Sequence, residues 1–153
     1  MKKLFVVFLL IALLCCTVFC TPVSAAPLSE ASKITVEYLE NGDYIETIIS
    51  EDSLTRSSKS GTKTKNYKNS NGEIMWSVTV RGTYTYDGIV ALCTSCSHST
   101  SVHSSAWSIK NSSSSRSGNT ATANATATLK MGLISQDYSL SVSLSCNANG
   151  TLS

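Results

Sequence analysis

Residues Glu73 to Cys93 read EIMWSVTVRGTYTYDGIVALC, and no other stretch constrains the fold as much. Trp76, Val78, Val80, Tyr84 and Tyr86 share one phase, interrupted only by Gly82, while Ser77, Thr79, Arg81, Thr83 and Thr85 share the other. Side chains on a strand alternate between its two faces, so this pattern puts aromatic and β-branched residues on one side and hydroxyls or charge on the other. It predicts a half-buried strand. Asn71-Gly72 precedes it and Asp87-Gly88 follows, each suited to the positive-φ corner of a two-residue hairpin. The expectation is a central strand with a hairpin partner on either side.

The same alternation recurs along the chain. Ile34, Val36 and Tyr38 alternate with Thr35 and Glu37, Glu40-Asn41-Gly42-Asp43 forms a turn, and YIETIIS resumes the β-branched pattern. This reads as a short hairpin, which is marginal in water unless it lies on a surface. Residues 51–70 are polar; their first half reads as a linker. In the second half Lys63 and Lys65 alternate with threonines, which suits an exposed edge strand beside 73–86. Ile89, Ala91 and Cys93 alternate, and the serine tract CTSCSHSTSVHSS then takes over. Ala106–Ile109 restores a short strand, and 112–119 (SSSSRSGN) is a loop by composition. From Ala121 to Met131 alanines alternate with threonines, and from Tyr138 to Cys146 bulky residues alternate with serines. A small-residue face beside a bulky one would fill a shared layer. With no helical periodicity anywhere, the fold class is all-β: about seven strands in an antiparallel β-sandwich, immunoglobulin-like in architecture with topology open. Cys93, Trp107 and Cys146 follow the Cys…Trp…Cys order of immunoglobulin domains, but Leu144 stands where the corner tyrosine would be.

Lys2 and Lys3 precede an apolar run from Leu4 to Phe19, and Val23-Ser24-Ala25 places small or β-branched residues at a cleavage site. Residues 1–25 therefore read as a secretory signal peptide. The expected organisation is a hairpin and linker over 26–60 and a β-sandwich core over 61–153. The mature chain would be extracellular and have no membrane association. The formal net charge of +2 rests on Lys2 and Lys3, so the remaining chain is neutral by count, which argues against nucleic acid as a partner. Seven acids against one base lie between Glu30 and Asp52, and nine bases against three acids follow from Arg56 onward. Opposite signs suit docking of the N-terminal piece on the rest.

Cys93, Cys96 and Cys146 remain after processing, and an exported chain permits disulfides. Cys93 and Cys146 both lie on the apolar phase of their strands, so they are expected to pair, leaving Cys96 in the polar tract. Cys93-x2-Cys96-x-His98-x4-His103 has zinc-like spacing. Residues three apart on a strand point to opposite faces, however, and 94–97 lack a turn former. The histidines are read as part of a surface serine tract, with no metal ligand and no cofactor assigned. No G-x-S-x-G elbow is present, and Glu37, Glu40, Asp43 and Glu46 read as a solvated hairpin face rather than glycosidase carboxylates. No catalytic residue follows. Trp76 and Trp107 sit on apolar phases and are read as core, not as a carbohydrate platform.

The run from Lys63 to Ser153 resembles a family of small secreted proteins from clostridial gut bacteria. The resemblance is carried by W-S-V-T-V-x-G-T-x-x-Y-x-G at 76–88, the Trp107-x-Ile109 strand, S-x-S-G-N at 115–119 and the final N-G-x-L-S. It implies secretion and a β-rich fold, with Cys93 and Cys146 at positions of the family pattern; it implies no activity. Cys96, His98 and His103 look peculiar to this chain. The expected function is non-catalytic binding, to a cell-envelope component or a protein partner. The rival readings are a bacteriocin- or toxin-like effector and a minor extracellular enzyme using His98 and His103.

Overall fold

The computed structural model describes residues 33–52 and 57–153. The expected signal peptide and its cleavage site lie outside these residues. Among the described residues eight strands run in sequence: β1 (Lys33–Tyr38), β2 (Tyr44–Glu51), β3 (Ser58–Lys68), β4 (Ile74–Tyr86), β5 (Ala91–Val102), β6 (Trp107–Ser117), β7 (Thr120–Met131) and β8 (Ile134–Ser145). They form two antiparallel sheets, ordered β1-β2-β3-β4-β5 and β6-β7-β8, which pack as a β-sandwich. Every strand pairs with its sequence neighbour, and only the β5–β6 connection changes sheets. The topology left open by the sequence is thus a meander rather than the Greek key of immunoglobulin domains.

The strand expected to be central is central in packing. Trp76, Val78, Val80 and Tyr84 of β4 are completely buried and face β7 and β8. The alanines of β7 pair directly with bulky partners on β8: Ala121 with Leu144, Ala123 with Val142, Ala125 with Leu140 and Ala127 with Tyr138. Small beside large lets the second sheet settle on the β4 row without voids. Gly82 interrupts the row for a steric reason. A Cβ there would occupy the space of the Tyr84 ring, whose hydroxyl donates to the Leu144 carbonyl at 2.6 Å. Tyr67, Trp76, Trp107 and Tyr138 cluster at one end of the core, with ring centroids 5.0–6.4 Å apart.

Four local expectations need correction. The strand β3 is not an edge; it lies between β2 and β4, with Lys63 opposite Val80 and Lys65 opposite Val78. The serine tract does not end β5, which continues to Val102, and 112–117 belongs to β6, leaving only Gly118-Asn119 as the turn. Hydroxyl-bearing residues are compatible with a solvated sheet face, so their composition did not mark a loop. Ile89, expected in phase with Cys93, lies in the β4–β5 loop and is exposed. Finally, the Asn-Gly hairpins close three-residue loops rather than two. In 39–43, 69–73 and 147–151 the first N–H donates to the fifth carbonyl (2.8–3.0 Å), and the glycine N–H donates back to the first carbonyl (2.9–3.1 Å). Only the glycine has positive φ, between 81° and 87°. This is a turn followed by a left-handed glycine bulge.

The smaller sheet covers β4 and β5 and reaches β3 through β8. The inner faces of β1 and β2 extend beyond it.

Candidate functional site

Register decides which side chains meet on that uncovered face. Lys33, Ile49 and Lys63 form one cross-strand row; Thr35, Thr47 and Lys65 form the next; Glu37, Ile45 and Tyr67 form the third. Paired residues share a face, and neighbouring strands lie about 4.8 Å apart. Ile45, Ile49 and Tyr67 are buried. Above them Lys33, Thr35, Glu37, Thr47, Lys63 and Lys65, with Ser153 at one side, enclose a cleft of about 350 Å³.

The charges in this cleft are not balanced locally. The ion pairs among the described residues join Lys59 to Glu51, Lys68 to Glu46, Arg81 to Asp52 and Lys110 to Asp137; none uses Lys33, Lys63 or Lys65. Burial holds the Lys63 ammonium below the usual lysine range, and repulsion from Lys65 and Lys33 adds to it. On the opposite face of the same sheet the arrangement is reversed. Glu46 accepts from Lys68 at 2.8 Å and from Asn66 at 2.9 Å, and these bonds hold its carboxyl below the ordinary range. The outer face has satisfied charges, and the inner cleft has cations in search of one.

A second cluster surrounds Tyr84. The register shifts between Thr83 and Tyr84, so that Tyr84 opposes Cys93 and Thr83 opposes Ser95, with Thr94 as the extra residue. The bulge puts Cys93 and Cys96 on the same inner face, which corrects the opposite-face argument made from plain alternation. Arg116 caps the bulge by donating to the carbonyls of Cys93 (2.9 Å) and Thr94 (2.5 Å). The Cys93 N–H donates to Gly118 and the Cys146 N–H to Asn119, so both cysteines dock on adjacent carbonyls of one turn. The three thiols among the described residues are free in this structure, and Cys93 and Cys146 are buried. Burial pushes both buried thiols up, away from reactive thiolate; for Cys93 the proximity of Cys96 adds to it.

His98 is on the inner face of β5, and its ring nitrogens meet Ser114 Oγ at 3.0 Å and Ser112 Oγ at 3.1 Å. The histidine acts as a strut between the sheets, and among the described residues no carboxylate orients it as a triad would need. His103 is exposed at the end of β5, where its N–H donates to Met75. Among the described residues no three His, Cys, Asp or Glu side chains group as metal ligands. Trp76 and Trp107 are buried in the aromatic cluster and present no platform. Glu40 lies in the β1–β2 turn, Asp43 accepts from the Tyr67 hydroxyl at 2.7 Å, and Glu46 is in its outer-face pair. The structure does not bring these acids together with Glu37. A cavity of about 380 Å³ at the β4–β5 loop is lined by Thr85, Asp87, Val90 and Leu92 among others, and its Asp87 carboxylate is already bonded to the Ile89 and Val90 N–H groups.

No family model, curated protein or solved structure matches the chain. The cleft lysines were visible in the sequence as Lys33 and the alternating Lys63 and Lys65. The signal that would have identified them is the two-sided polarity of a strand sitting between two half-apolar ones.

Proposed function

We propose that the protein is a secreted, non-catalytic β-sandwich that works by binding, presenting the uncovered inner face of β1–β3 to a cell-envelope component or a partner protein. The observation that carries this reading is the preformed 350 Å³ cleft, whose polar walls stand on an apolar floor at Ile49. Ligand sites combine such a floor with a few convergent polar groups. Export rests on the apolar leader with its cleavage-site residues and on the family resemblance. A disulfide between Cys93 and Cys146 belongs to the same proposal, supported by the shared turn on which both are docked. Non-reducing peptide mapping of secreted material tests it, and a Cys93–Cys96 link or a free Cys146 thiol would sink it.

The binding reading is tested by capture from culture with the wild-type protein and with a Thr47→Trp variant, which fills the cleft. A component held by the wild type and lost from the folded variant supports the reading. Equal capture by both, or growth inhibition of neighbouring strains by both, overturns it; the second result would favour the effector reading.

A further inference from the structure

We propose that the cleft between β1, β2 and β3 binds the oxyanion of an acidic sugar: a carboxylate, phosphate or sulfate carried on a hydroxylated ring. This rests on the binding reading above and names the ligand class for that site.

Three arguments converge. First, Lys33 and Lys63 flank Ile49 from either side, and Lys65 stands one row along β3, so three ammonium groups from two strands surround one position. Burial and repulsion from Lys65 and Lys33 are costs at Lys63 that no carboxylate of the described residues offsets, because none of the ion pairs among those residues involves these lysines. An incoming anion would offset both costs and form charge-assisted hydrogen bonds. Second, the ends of the cleft differ. Glu37 lies four residues along β1 from Lys33, roughly 13 Å at the rise of an extended strand. Its carboxylate is an acceptor for hydroxyl donors, so the cleft reads as cation at one end and acceptor at the other. Third, the hydroxyls of Thr35 and Thr47 lie between those ends, and about 350 Å³ is more room than a bare oxyanion needs. A neutral apolar ligand would leave the lysines desolvated, and a bare ion would leave the threonine row and Glu37 unused.

Amide resonances of the purified protein, followed while adding glucuronate, glucose 6-phosphate, glucose 6-sulfate or unmodified glucose, test the proposal. The expected result is that one or more acidic sugars shift Thr35, Thr47, Lys63 and Lys65, that glucose does not, and that added salt weakens the effect. The three acidic probes then identify the preferred oxyanion. Lys63→Gln combined with Lys65→Gln should weaken binding about tenfold or more while leaving the melting temperature within a degree or two. Glucose binding as well as the acidic sugars, or full affinity in the double variant, overturns the anion assignment and leaves the cleft as a binding site. No acidic sugar shifting the cleft resonances also overturns it. If the Thr47→Trp comparison shows no cleft-dependent partner either, the binding reading fails with it.

Discussion

The two halves of the five-stranded sheet are built on the same alternation and put to opposite uses. On β4 the inner phase is Trp76, Val78, Val80 and Tyr84, all sealed under β6–β8. Three strands away, the inner phase of β1 is Lys33, Thr35 and Glu37, and β3 between them carries Lys63 and Lys65 in the rows of Val80 and Val78. The boundary between core and cleft therefore runs along β3. The difference follows from unequal sheet width. A fourth strand on the smaller sheet would bury those lysines without partners, which costs several kcal/mol per charge. Lysines at these positions are compatible with the fold only because the cover stops at β8, and it is this stop that makes a cleft.

The largest effect should come from the sealed half. Trp76→Ala would open a large void among Tyr67, Trp107 and Tyr138, and is expected to cost about 3–5 kcal/mol in urea unfolding. Thr47→Ala, in the cleft wall, should stay within about 0.5 kcal/mol of the wild type. Equal costs at the two sites would erase the distinction between core and cleft. Next in size is Gly82→Val. Its side chain would displace the Tyr84 ring and strain the bond to the Leu144 carbonyl, at a cost of about 1–3 kcal/mol. An unchanged melting temperature would mean that the ring does not lie over Gly82.

How much of this was legible follows the same boundary. The β4 strand, the β7–β8 layer of alanines against bulky residues and the burial of both tryptophans are visible in the sequence, because period-2 contrast is strong where one face is dry. It fades where both phases are polar, as in Lys63-Thr64-Lys65 or Ser112–Ser115. By sequence alone Lys63 and Lys65 therefore read as an edge and Ser112–Ser115 as a loop. The bulge at Thr94 is a single-residue change of register that alternation cannot show, and it reversed the face of Cys96 relative to Cys93. The cleft itself depends on how far the second sheet reaches, a property of packing between β3 and β8, strands far apart in the sequence.

The outer face of the overhang supplies a smaller effect with a defined pH window. The Glu46 carboxyl is held below its ordinary value of 4.5 by Lys68 and Asn66. A carboxyl depressed in the folded state contributes stability above its unfolded pKa, and that contribution is lost as pH falls through the folded value. With side chains only 16% and 18% exposed, the pair should contribute about 1 kcal/mol at neutral pH. Glu46→Gln is expected to remove that contribution at pH 7 and to converge with the wild type under acid conditions. A constant difference from pH 7 down to pH 2 would show that packing, not charge, accounts for the loss.

The smallest expected effect probes the inner lysines without any ligand, and its sign is opposite to that of Glu46. Lys63 is charged at neutral pH in a site that disfavours the charge, so Lys63→Met should be neutral or slightly stabilising, within about 0.5 kcal/mol. Because its folded pKa lies below 10.5, the unfolded chain holds more protons between the two values, and Lys63 makes stability rise with pH across that window. Two tyrosines act against this in the wild type. Burial, with help from Asp43, pushes Tyr67 up to about 12, and burial raises Tyr84 as well. A hydroxyl kept neutral by the fold loses stability once the unfolded chain ionises near pH 10. Total stability should therefore fall in alkali, and the lysine is read from the difference between wild type and Lys63→Met. That difference should favour the variant at pH 8 and vanish above the unfolded lysine value. A variant less stable than the wild type at pH 8 would mean that Lys63 already has a compensating partner in the folded protein, and the cleft would then hold no unmet charge for a ligand to satisfy.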